Sequence, residues 1–571
     1  MKLNPLHLID SYKISHVHMY PEGTTRVYSN FTARSGEHSN LKNKKFGKTV
    51  FVGLQGTLKQ LTEIWDEGFF KRDKALVVLE YKRRIEGIVG AGQSVEHIAK
   101  LHDLGYLPIE VRALPEGSIV PYKVPYFTIE NTHPDFFWLT NYLEDFLSAS
   151  SWKAINNATL AYELRQILTK YSIAQGIGTD LVPWQGHDFS FRGMSGVYDG
   201  AITSFAHLTS FSGSDTVSGL DFAEQYYNTS IDKHLVSGSV PASEHSVMCA
   251  YGEEEEIETF RRLLKIYPTG LVSIVSDSWD FFRVITEYAQ EMKSDIMGRE
   301  GKLVYRPDSG DPADILCGIK IRSPFSIDNF DEWKDFVAEE LHEQFCNNLD
   351  AENPHSSETE LYQFGNITYK VTYTPDLNRH DKRYYYVDNY GSILSKCTFE
   401  EIILTSEQKG AVQCLWEIFG GTENSLGYRT LDSHVGLIYG DSITAERMDD
   451  ILARLEYKGF AANNVVFGIG SYSYNMSSRD THGMAMKATY VEVNGEGRNI
   501  QKKPKTGDGI KTSACGLLVV GKDANDEFVL CDRQKTNDFG FLELVYRDGK
   551  LLKETSLSEI RERLWNWNDR F

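Results

Sequence analysis

The hydrophobic pattern from residue 273 to residue 312 predicts a strand, a helix and a second strand. Two short apolar runs end abruptly in charged or hydroxyl residues, the first at Asp277 and the second at Arg306. Between them, apolar residues recur at close to helical spacing: Phe281, Ile285, Tyr288 and Met292. A crossover of this length makes the two strands parallel. Because ligands bind at the carboxyl ends of strands in parallel α/β folds, we predict that Asp277, Arg306 and Asp308 surround one pocket.

A short strand-like run that ends in polar or glycine residues occurs seven times between His187 and Ser471. The runs cover residues 187–193, 211–216, 240–246, 273–278, 303–309, 435–442 and 465–471. Most are followed by a helix-like segment, and the clearest runs from Thr444, as N-cap, to Tyr457. This repetition predicts an α/β fold with an irregular (β/α) TIM-like barrel whose pocket lies at one rim.

Strand-like segments on both sides of this region predict a second, β-rich α+β domain. Residues 26–34 alternate like a strand, and Pro-bounded runs from Pro108 to Thr132 favour an antiparallel layer. Two helix-like stretches follow, over residues 135–152 and 157–176. Hairpin signals return beyond Arg479, and a capping box precedes a final helix. The residues that carry these signals are Asp548-Gly549 and Ser556 with Glu559.

The chain is therefore divided into an N-terminal part of the β-rich domain (1–180), a barrel (181–478) and a C-terminal return to the β-rich domain (479–571). Residues 317–409 interrupt the barrel pattern. Apolar positions there predict an amphipathic helix: Phe330, Trp333, Val337, Leu341 and Phe345. Two Tyr-rich runs, 367–375 and 383–394, predict a β-ribbon, so this region is interpreted as an inserted α+β subdomain.

Composition narrows the class of protein. A chain of 571 residues with 41% apolar content can bury a large core and hold two or more domains. No apolar run approaches the roughly 18 residues of a membrane helix, and the N-terminus lacks a secretory pattern, so we expect a cytoplasmic protein with no membrane partner. Seven cysteines without a C-x-x-C pair suit a reducing compartment and argue against a zinc site. The net charge of −20 argues against nucleic acid as a partner.

Candidate chemistry lies at the strand ends. The turn from Arg306 to Gly310 sets a guanidinium, a fork for phosphate oxygens, beside the carboxylate of Asp308, although an internal salt bridge explains the pair equally well. Small residues at Gly470 and Ser471 let backbone N–H groups approach an anion, as they would also permit a plain turn. His245 is a candidate nucleophile or proton carrier, or a polar loop histidine.

Taken together, the motifs resemble the type II phosphoribosyltransferase family, and in particular its nicotinamide phosphoribosyltransferases. The motifs that carry the resemblance are DSYKISHVHMYP at 10–21, HDFSFRG at 187, GSDTVSG at 213, VPASEHS at 240, VSDSWD at 275, RPDSGDP at 306, YGD at 439 and FGIGS at 467. The resemblance implies a homodimer with shared active sites. It also implies the synthesis of nicotinamide mononucleotide and pyrophosphate, in NAD salvage, from nicotinamide and 5-phosphoribosyl 1-pyrophosphate, with Mg²⁺.

The resemblance implies a role for each matched residue. Phe189 would stack on the pyridine ring, Tyr12 of the partner subunit would cover its other face, and Asp215 would accept the carboxamide N–H. The remaining lining residues would be Arg192, Ser276 and Asp277. Arg306 and Asp308 would hold ribose and pyrophosphate. The 5′-phosphate would lie among Gly440, Asp441, Gly470, Ser471, Arg479 and Lys487, and Arg34 would meet pyrophosphate or the phosphates of ATP.

His245 matches the histidine that ATP phosphorylates in this family, so ATP is expected as a co-substrate. Three positions depart from the family pattern and bear on phosphate affinity: Phe191, Ser471 and Ala485. Two alternatives stay open. A sister enzyme acting on nicotinate or quinolinate is disfavoured by Asp215, because that carboxylate would repel the substrate's own. A non-catalytic protein that kept the barrel is disfavoured by His245, Arg306 and Asp308.

Overall fold

The structure is a computed structural model that describes residues 4–39, 47–322, 327–348, 357–365, 367–375, 377–380, 383–386, 393–440, 442–503 and 512–566. The chain forms two compact units. The first comprises Met1–Pro241, Ile438–Asp449 and Val465–Phe571, and the second comprises Ala242–Leu437 and Asp450–Asn464. Both contain helices and strands, so the predicted mixed α/β class is confirmed. A closed TIM-like barrel stays a prediction.

A seven-stranded sheet in the first unit combines segments from both ends of the chain. Its spatial order is Glu496–Asn499, Ala485–Val493, Thr24–Thr32, Pro125–Asn131, Ile109–Ala113, Glu543–Arg547 and Lys550–Leu551. The strand Thr24–Thr32 pairs antiparallel with Ala485–Val493 on one side and with Pro125–Asn131 on the other. The predicted antiparallel layer between residues 108 and 132 is therefore confirmed, and it is completed by residues from the last hundred of the chain.

The local signals near the C-terminus are confirmed as well. Asp548 and Gly549 both have positive φ, 50° and 79°, as a tight turn between Glu543–Arg547 and Lys550–Leu551 requires. Ser556 and Glu559 form a reciprocal capping box at the start of helix Leu557–Trp565. Two further antiparallel pairs complete this part of the unit: Lys48–Phe51 with Ser118–Pro121, and Leu517–Lys522 with Phe528–Gln534.

One long helix replaces the two that were predicted between residues 135 and 176. It spans Glu144–Ala174, without the expected break near Lys153 to Asn156. The polar side chains there do not compete with the helix backbone, because they bond to other elements. Asn156 Nδ2 donates to the Ser478 carbonyl at 2.8 Å, and Asn157 Nδ2 donates to Thr203 Oγ1 at 3.0 Å.

The first unit contains further helices. They include His16–Met19, Leu54–Trp65, Lys74–Val89, Glu96–Leu104, Leu139–Tyr142, Val182–Gln185, Val197–Leu208, Ser218–Tyr226 and Ser471–Tyr474. Helix Ala445–Tyr457 contributes to both units, and its predicted N-cap is confirmed because Thr444 Oγ1 accepts the Arg447 N–H at 3.2 Å. An extensive apolar core, with Phe31, Trp65, Tyr126 and Phe127 among its members, combines residues of the seven-stranded sheet and of its helices.

Short parallel strands in each unit match six of the seven predicted runs. In the first unit, Gly186–Asp188 pairs with Gly213–Ser214 and with Val465–Ile469. In the second, Glu300–Arg306 pairs with Thr269–Val275 and with residues 435–437 of Val435–Tyr439. The seventh run, at 240–246, forms only a single parallel bridge between Ala242 and Ser273. Each of these strands ends at residues that were predicted to bind a ligand.

The segment between residues 273 and 312 has the predicted order of strand, helix and strand. Thr269–Val275 is followed by a helical stretch from Phe281 to Glu291, which contains a π-turn over Val284–Tyr288, and by the short helix Lys293–Met297. The strand Glu300–Arg306 then returns parallel to the first. The second unit also contains helices His245–Cys249, Glu256–Ile266, Pro312–Cys317, Ser406–Lys409 and Ala411–Phe419 and the strand pair Gly421–Glu423 with Arg429–Leu431.

The region 317–409 has its own apolar core. Helix Phe330–Asn348 packs on an antiparallel sheet of Glu358–Phe364, Ile367–Tyr373 and Cys397–Ile402, and the buried side chains between them include Trp333, Leu341, Tyr362 and Val371. Leu377–His380 pairs with Arg383–Tyr386 as a ribbon. The two ends of the region 317–409 are neighbours, since the Ile319 N–H donates to the Gln408 carbonyl at 3.0 Å. The predicted amphipathic helix and strands of this region are thus confirmed, and its separation as an inserted subdomain stays a prediction.

Within the described residues, no helix combines the length and the apolar character that crossing a membrane requires. All seven cysteines lie within the described residues, and all seven thiols are free.

Candidate active site

The carboxylate of Asp215 is held by two side chains from other segments of the first unit. Its Oδ1 lies 2.9 Å from Nε2 of His187, and Ser239 Oγ donates to the same oxygen. The backbone fixes this residue too, since the Asp215 N–H donates to the Asp188 carbonyl at 3.0 Å. Because Asp215 follows Gly213–Ser214 and His187 lies in Gly186–Asp188, the parallel pairing of these two strands places both residues at one sheet edge.

Gly213 allows the imidazole of His187 to lie close enough to contact Asp215. A Cβ atom on Gly213 would lie only 2.6 Å from Nδ1 of His187. Any side chain at residue 213 would therefore displace the imidazole that contacts Asp215.

The ring of Phe189 lies beside this carboxylate site and against bare backbone. The backbone N–H of Phe189 donates to the Ile469 carbonyl at 3.0 Å, and the centroid of the Phe189 ring is 4.9 Å from that of the His187 ring. A Cβ atom on Gly468 would lie 2.6 Å from Cδ2 of Phe189, so the ring packs directly on the glycine. The ring is half-buried, which leaves part of its surface accessible to a ligand.

Beneath these residues, the fully buried Asp188 ties the strand ends together. Its Oδ1 accepts the Ser190 N–H at 2.9 Å, and its Oδ2 accepts from Ser214 Oγ at 3.3 Å. Buried carboxylates are costly unless their oxygens are satisfied in this way. Asp188 is therefore assigned to scaffold the site.

Three cations that were predicted to bind phosphate form a group in the first unit. Arg34, Arg479 and Lys487 interact electrostatically with one another, and Lys502 interacts with Lys487. Burial lowers the pKa of Lys487, and the positive charges of its neighbours lower it further, while Glu144 opposes the shift. Burial and the charge of Arg479 likewise lower the pKa of Arg34. A cluster of mutually repelling cations favours the binding of a polyanion.

The backbone fixes the position of Arg34 within this group. Its N–H donates to the His482 carbonyl at 3.0 Å, and its Nε donates to the Gly483 carbonyl. His482 is almost fully buried, and burial lowers its pKa to about 4. It is therefore neutral near pH 7, and it adds no charge to the cation group.

The loop that carries Arg192 contacts the segment that begins at Gly470. A Cβ atom on Gly193 would lie 2.1 Å from Ser471 Oγ, and Asn475 Nδ2 donates to the Gly193 carbonyl at 3.2 Å. Arg192 itself is exposed. Ser471, one of the departures from the family pattern, therefore fills space that only a glycine at residue 193 leaves open.

Three further residues that were predicted to bind substrate belong to the first unit: Tyr12, Gly440 and Asp441. Gly440 follows the strand Val435–Tyr439, and Asp441 lies outside the described residues. Tyr12 is 58% exposed on the first unit. Its neighbour Lys13 is buried, and its Nζ contacts Glu144 Oε2 at 2.9 Å. An exposed aromatic on a rigidly anchored turn is suited to contact another molecule.

In the second unit, the carboxylate of Asp277 connects the predicted histidine to the predicted turn. Its Oδ2 accepts the N–H groups of Asp308 and Ser309, both at 2.8 Å, and also the hydroxyl of Ser309. Its Oδ1 lies 3.3 Å from Nε2 of His245, which is itself about half exposed. Asp277 thus orients the imidazole and holds the start of the turn after Arg306.

Arg306 is positioned by the same two strand ends. Its Nη2 donates to the Ser243 carbonyl at 2.7 Å. Its N–H is 3.3 Å from Ser276 Oγ, and the Ser276 N–H donates to the Arg306 carbonyl at 3.0 Å. Four predicted residues of this unit, Ser276, Asp277, Arg306 and Asp308, are therefore neighbours, and His245 adjoins them.

A buried carboxyl lies behind this group. Glu256 is 2% exposed, and burial raises its pKa to about 7, with the negative charges of Glu253, Asp280 and Asp277 adding to the shift and Arg283 opposing it. Near neutral pH this group changes between its protonated and charged forms. It is a source of pH sensitivity close to Asp277.

Sequence reasoning missed His187, Ser239 and Glu256. His187 and Ser239 lie 28 and 24 positions from the carboxylate that they contact. Only the register of the parallel strands brings them together. The His187-Asp188 pair at the start of the strand-like run 187–193 was the available signal for the first, and the sequence offers none for the second.

Mg²⁺ fits this site only as a metal held mainly by substrate. The described residues contain no group of three or more carboxylate, imidazole or thiolate ligands arranged to hold a metal. Both oxygens of Asp277 are already engaged, so Asp308 is the carboxylate of this turn that could contact the metal, and Mg²⁺ in such sites uses one or two carboxylates together with substrate phosphates and water.

The chain matches two family models. The nicotinate phosphoribosyltransferase family matches residues 184–351 and 388–538, and the N-terminal domain of nicotinamide phosphoribosyltransferase matches residues 4–111. Three similar curated proteins are named nicotinamide phosphoribosyltransferase. The protein of Acinetobacter baylyi is 46% identical, over 99% of this chain and 97% of its own length. That of Mycoplasma pneumoniae is 29% identical over 87% and 91%, and that of Xanthomonas campestris is 28% identical over 97% and 96%.

The parallel strand ends, with their carboxylates, arginines and glycines, are those of an enzyme of the pentosyltransferase class, and the chain belongs to the nicotinate phosphoribosyltransferase family. Within that family it belongs with the nicotinamide phosphoribosyltransferases. The resemblance given in the sequence analysis is confirmed.

Proposed function

We propose that this enzyme forms nicotinamide mononucleotide and pyrophosphate from nicotinamide and 5-phosphoribosyl 1-pyrophosphate in NAD salvage, with ATP hydrolysis coupled through a phosphohistidine at His245. The observation that carries the choice of nicotinamide is the carboxylate of Asp215, oriented by His187 and Ser239 beside the exposed part of the Phe189 ring. We expect the reaction to take place in the cytoplasm.

The proposed specificity follows from charge. Asp215 accepts an N–H of the carboxamide, while Phe189 stacks on the pyridine ring. The carboxylate of nicotinate offers no donor and carries a negative charge, so the same position repels it. Arg192 and Ser276 complete the proposed lining.

The transfer step requires positioning more than proton transfer. The pyridine nitrogen attacks C1 of the ribose, and the C1–O bond to pyrophosphate breaks with its electron pair leaving on pyrophosphate. The attacking nitrogen carries no proton, so no general base is needed. Arg306 stabilises the negative charge that develops on pyrophosphate, and Asp308 and Asp277 stabilise the positive charge on the sugar. When bound, Mg²⁺ supplies further neutralisation of the pyrophosphate, beside the carboxylates of Asp277 and Asp308.

The proposed phosphate contacts use the cations and glycines described above. The 5′-phosphate binds among Gly440, Asp441, Gly470, Ser471, Arg479 and Lys487. Arg34 contacts pyrophosphate or the phosphates of ATP. In the proposed homodimer, Tyr12 reaches the ring-binding site of the partner subunit, in keeping with its exposed position.

The proposed coupling to ATP uses the orientation of His245. Because Nε2 faces Asp277, the lone pair of the neutral imidazole is on Nδ1, which attacks the γ-phosphoryl group as ADP leaves. The Asp277 carboxylate stabilises the cation that forms. Since Asp277 also accepts N–H groups from Asp308 and Ser309, phosphorylation of His245 acts directly on the turn proposed to bind substrate.

The test is a product assay on the purified protein with 5-phosphoribosyl 1-pyrophosphate and Mg²⁺. Nicotinamide, nicotinate and quinolinate are compared at equal concentration, with and without ATP, and both nucleotide and pyrophosphate are measured. We expect nicotinamide to be preferred and ATP to stimulate turnover. A preference for either acid would reassign the enzyme to a sister activity, and the absence of pyrophosphate with all three would indicate a non-catalytic protein.

A further inference from the structure

The guanidinium of Arg561 is fully buried in the first unit and donates to four backbone carbonyls. It projects from the last helix, Leu557–Trp565. Its Nε donates to Leu208 at 2.7 Å, its Nη2 to Phe211 at 3.1 Å and to Val236 at 2.8 Å, and its Nη1 to Leu235. Burying an arginine costs several kcal/mol unless its donors are satisfied. The backbone around Arg561 is therefore arranged so that its carbonyls satisfy the donors of this one side chain.

The four carbonyls belong to two segments that lead directly into the ring-binding site. Residues 208–211 precede Gly213–Ser214 and Asp215, and residues 235–236 precede Gly238 and Ser239. The two segments also bond to each other. The Ser214 N–H donates to the Gly238 carbonyl at 3.1 Å, and the Gly238 N–H donates to the Ser212 carbonyl at 2.8 Å. Arg561 thus links the backbone on which Asp215 is mounted to the backbone on which Ser239 is mounted.

A second buried arginine supports the same segment at an electrostatic cost. Arg165 Nη1 donates to the Ser210 carbonyl at 2.7 Å, and its guanidinium lies 4.3 Å from the Trp565 ring centroid. Burial and the nearby charge of Arg561 lower the pKa of Arg165 to about 9. Two positively charged guanidinium groups thus lie close together beside one stretch of backbone. Their mutual repulsion is unfavourable, and it must be offset by the hydrogen bonds to carbonyls that are held in fixed positions.

We propose that Arg561 is a positioning residue for the selectivity of this enzyme. By holding the carbonyls of residues 208–211 and 235–236 together, it sets the distance between Asp215 and Ser239, and with it the direction in which the Asp215 carboxylate presents its oxygens. The C-terminal helix therefore determines how well a carboxamide is distinguished from a carboxylate. This inference rests on the proposed role of Asp215.

The first test compares Arg561→Met with Arg563→Met. Arg563 lies on the same helix and carries the same charge, but it donates to the carbonyl of Glu116. Arg561→Met is expected to raise KM for nicotinamide about tenfold and to lower the kcat/KM ratio of nicotinamide to nicotinate, with KM for 5-phosphoribosyl 1-pyrophosphate changed less than about twofold. Arg563→Met is expected to lower Tm without changing the ratio. Equal effects of the two variants on the ratio, or none from Arg561→Met, would overturn the proposal.

Arg561→Lys carries the same test if the methionine variant does not fold. Lysine keeps the charge, but its single ammonium cannot reach all four carbonyls. We expect a smaller loss of selectivity, and no further loss when Asp215→Asn is added, because both changes act on the same contact. Additive effects in the double variant would contradict the proposal. If Asp215→Asn alone leaves selectivity unchanged, the proposed role of Asp215 fails; if it changes selectivity and Arg561→Lys does not, only the inference about Arg561 fails.

Discussion

Nε2 of His187 lies 2.9 Å from Oδ1 of Asp215, and this contact joins the ends of two parallel strands. The imidazole fixes one oxygen of the carboxylate, and with it the orientation of the group at the strand end. The same pair of strands presents the Phe189 ring. If Asp215 has the proposed role, selectivity for the substrate ring depends on strand register rather than on a loop.

Asp215→Asn tests this assignment directly. The amide removes the negative charge that repels nicotinate, and it offers an N–H donor to the carboxylate of that acid. We expect the kcat/KM ratio of nicotinamide to nicotinate to fall by about tenfold or more. Steady-state kinetics with both substrates measure the change. An unchanged ratio would remove Asp215 from the specificity site.

Gly468→Ala tests the stacking role of Phe189 without altering the ring. The added Cβ would lie 2.6 Å from Cδ2 of Phe189 and 2.8 Å from the carbonyl oxygen of Tyr439, so the ring and the strand beside it must shift. We expect KM for nicotinamide to rise several-fold, with a smaller change in KM for 5-phosphoribosyl 1-pyrophosphate. Gly521→Ala is a suitable control, because its Cβ would make only an ordinary contact of 3.9 Å with Val529. The prediction is wrong if both variants have the wild-type KM for nicotinamide.

His245→Ala should abolish the stimulation of turnover by ATP while basal transfer stays measurable. The reason is that the variant lacks the nitrogen proposed to accept the phosphoryl group. Cys249→Ala, on the exposed face of the same short helix, is the matched control and should retain stimulation. Product formation and ADP release are followed together. ATPase activity that persists in His245→Ala and depends on nicotinamide would count against the phosphohistidine.

Stability should fall in acid because His207 is buried in its neutral form. Its Nδ1 accepts from the Tyr474 hydroxyl at 2.6 Å, its Nε2 donates to the Gly213 carbonyl at 2.9 Å, and burial lowers its pKa to about 4. Between the unfolded value near 6.5 and about 4, the unfolded chain binds a proton that the folded chain does not. The free energy of unfolding is therefore lost as the pH falls through this window, by up to about 1.4 kcal/mol per pH unit.

Urea unfolding at pH 7 and pH 5 measures this loss. His207→Gln keeps one donor and one acceptor but does not titrate, so the difference between the two pH values should shrink in this variant. His482, whose pKa is also lowered to about 4, contributes an equivalent loss in both proteins. The assignment to His207 fails if wild type and variant lose the same free energy.

Features set by neighbouring residues could be predicted from the sequence. The capping box of Ser556 and Glu559 and the turn at Asp548-Gly549 each depend on a few adjacent positions. So do the parallel strands around the 273–312 crossover, because apolar runs and helical spacing are local patterns. The resemblance then supplied residue roles that no local pattern could have supplied.

Features set by distant contacts could not be predicted. The sequence pattern predicted two helices where the structure has the single helix Glu144–Ala174, and the bonds of Asn156 and Asn157 to Ser478 and Thr203 explain why this helix continues. His187 and Ser239 meet Asp215 through strand pairing. Arg561 is separated in sequence by more than three hundred positions from the carbonyls that it binds. From the sequence alone it resembles any other surface charge on an amphipathic helix.

The seven-stranded sheet also constrains how the chain is made. The strand Thr24–Thr32 has no partner on one side until Ala485–Val493 leaves the ribosome, about 450 residues later. At synthesis rates of roughly 5–20 residues per second, the nascent protein carries an open β-edge for about 20 to 90 s. Such an edge recruits other chains, so yield during overproduction should depend on chaperone supply and translation speed more than on the finished enzyme's own thermal resistance.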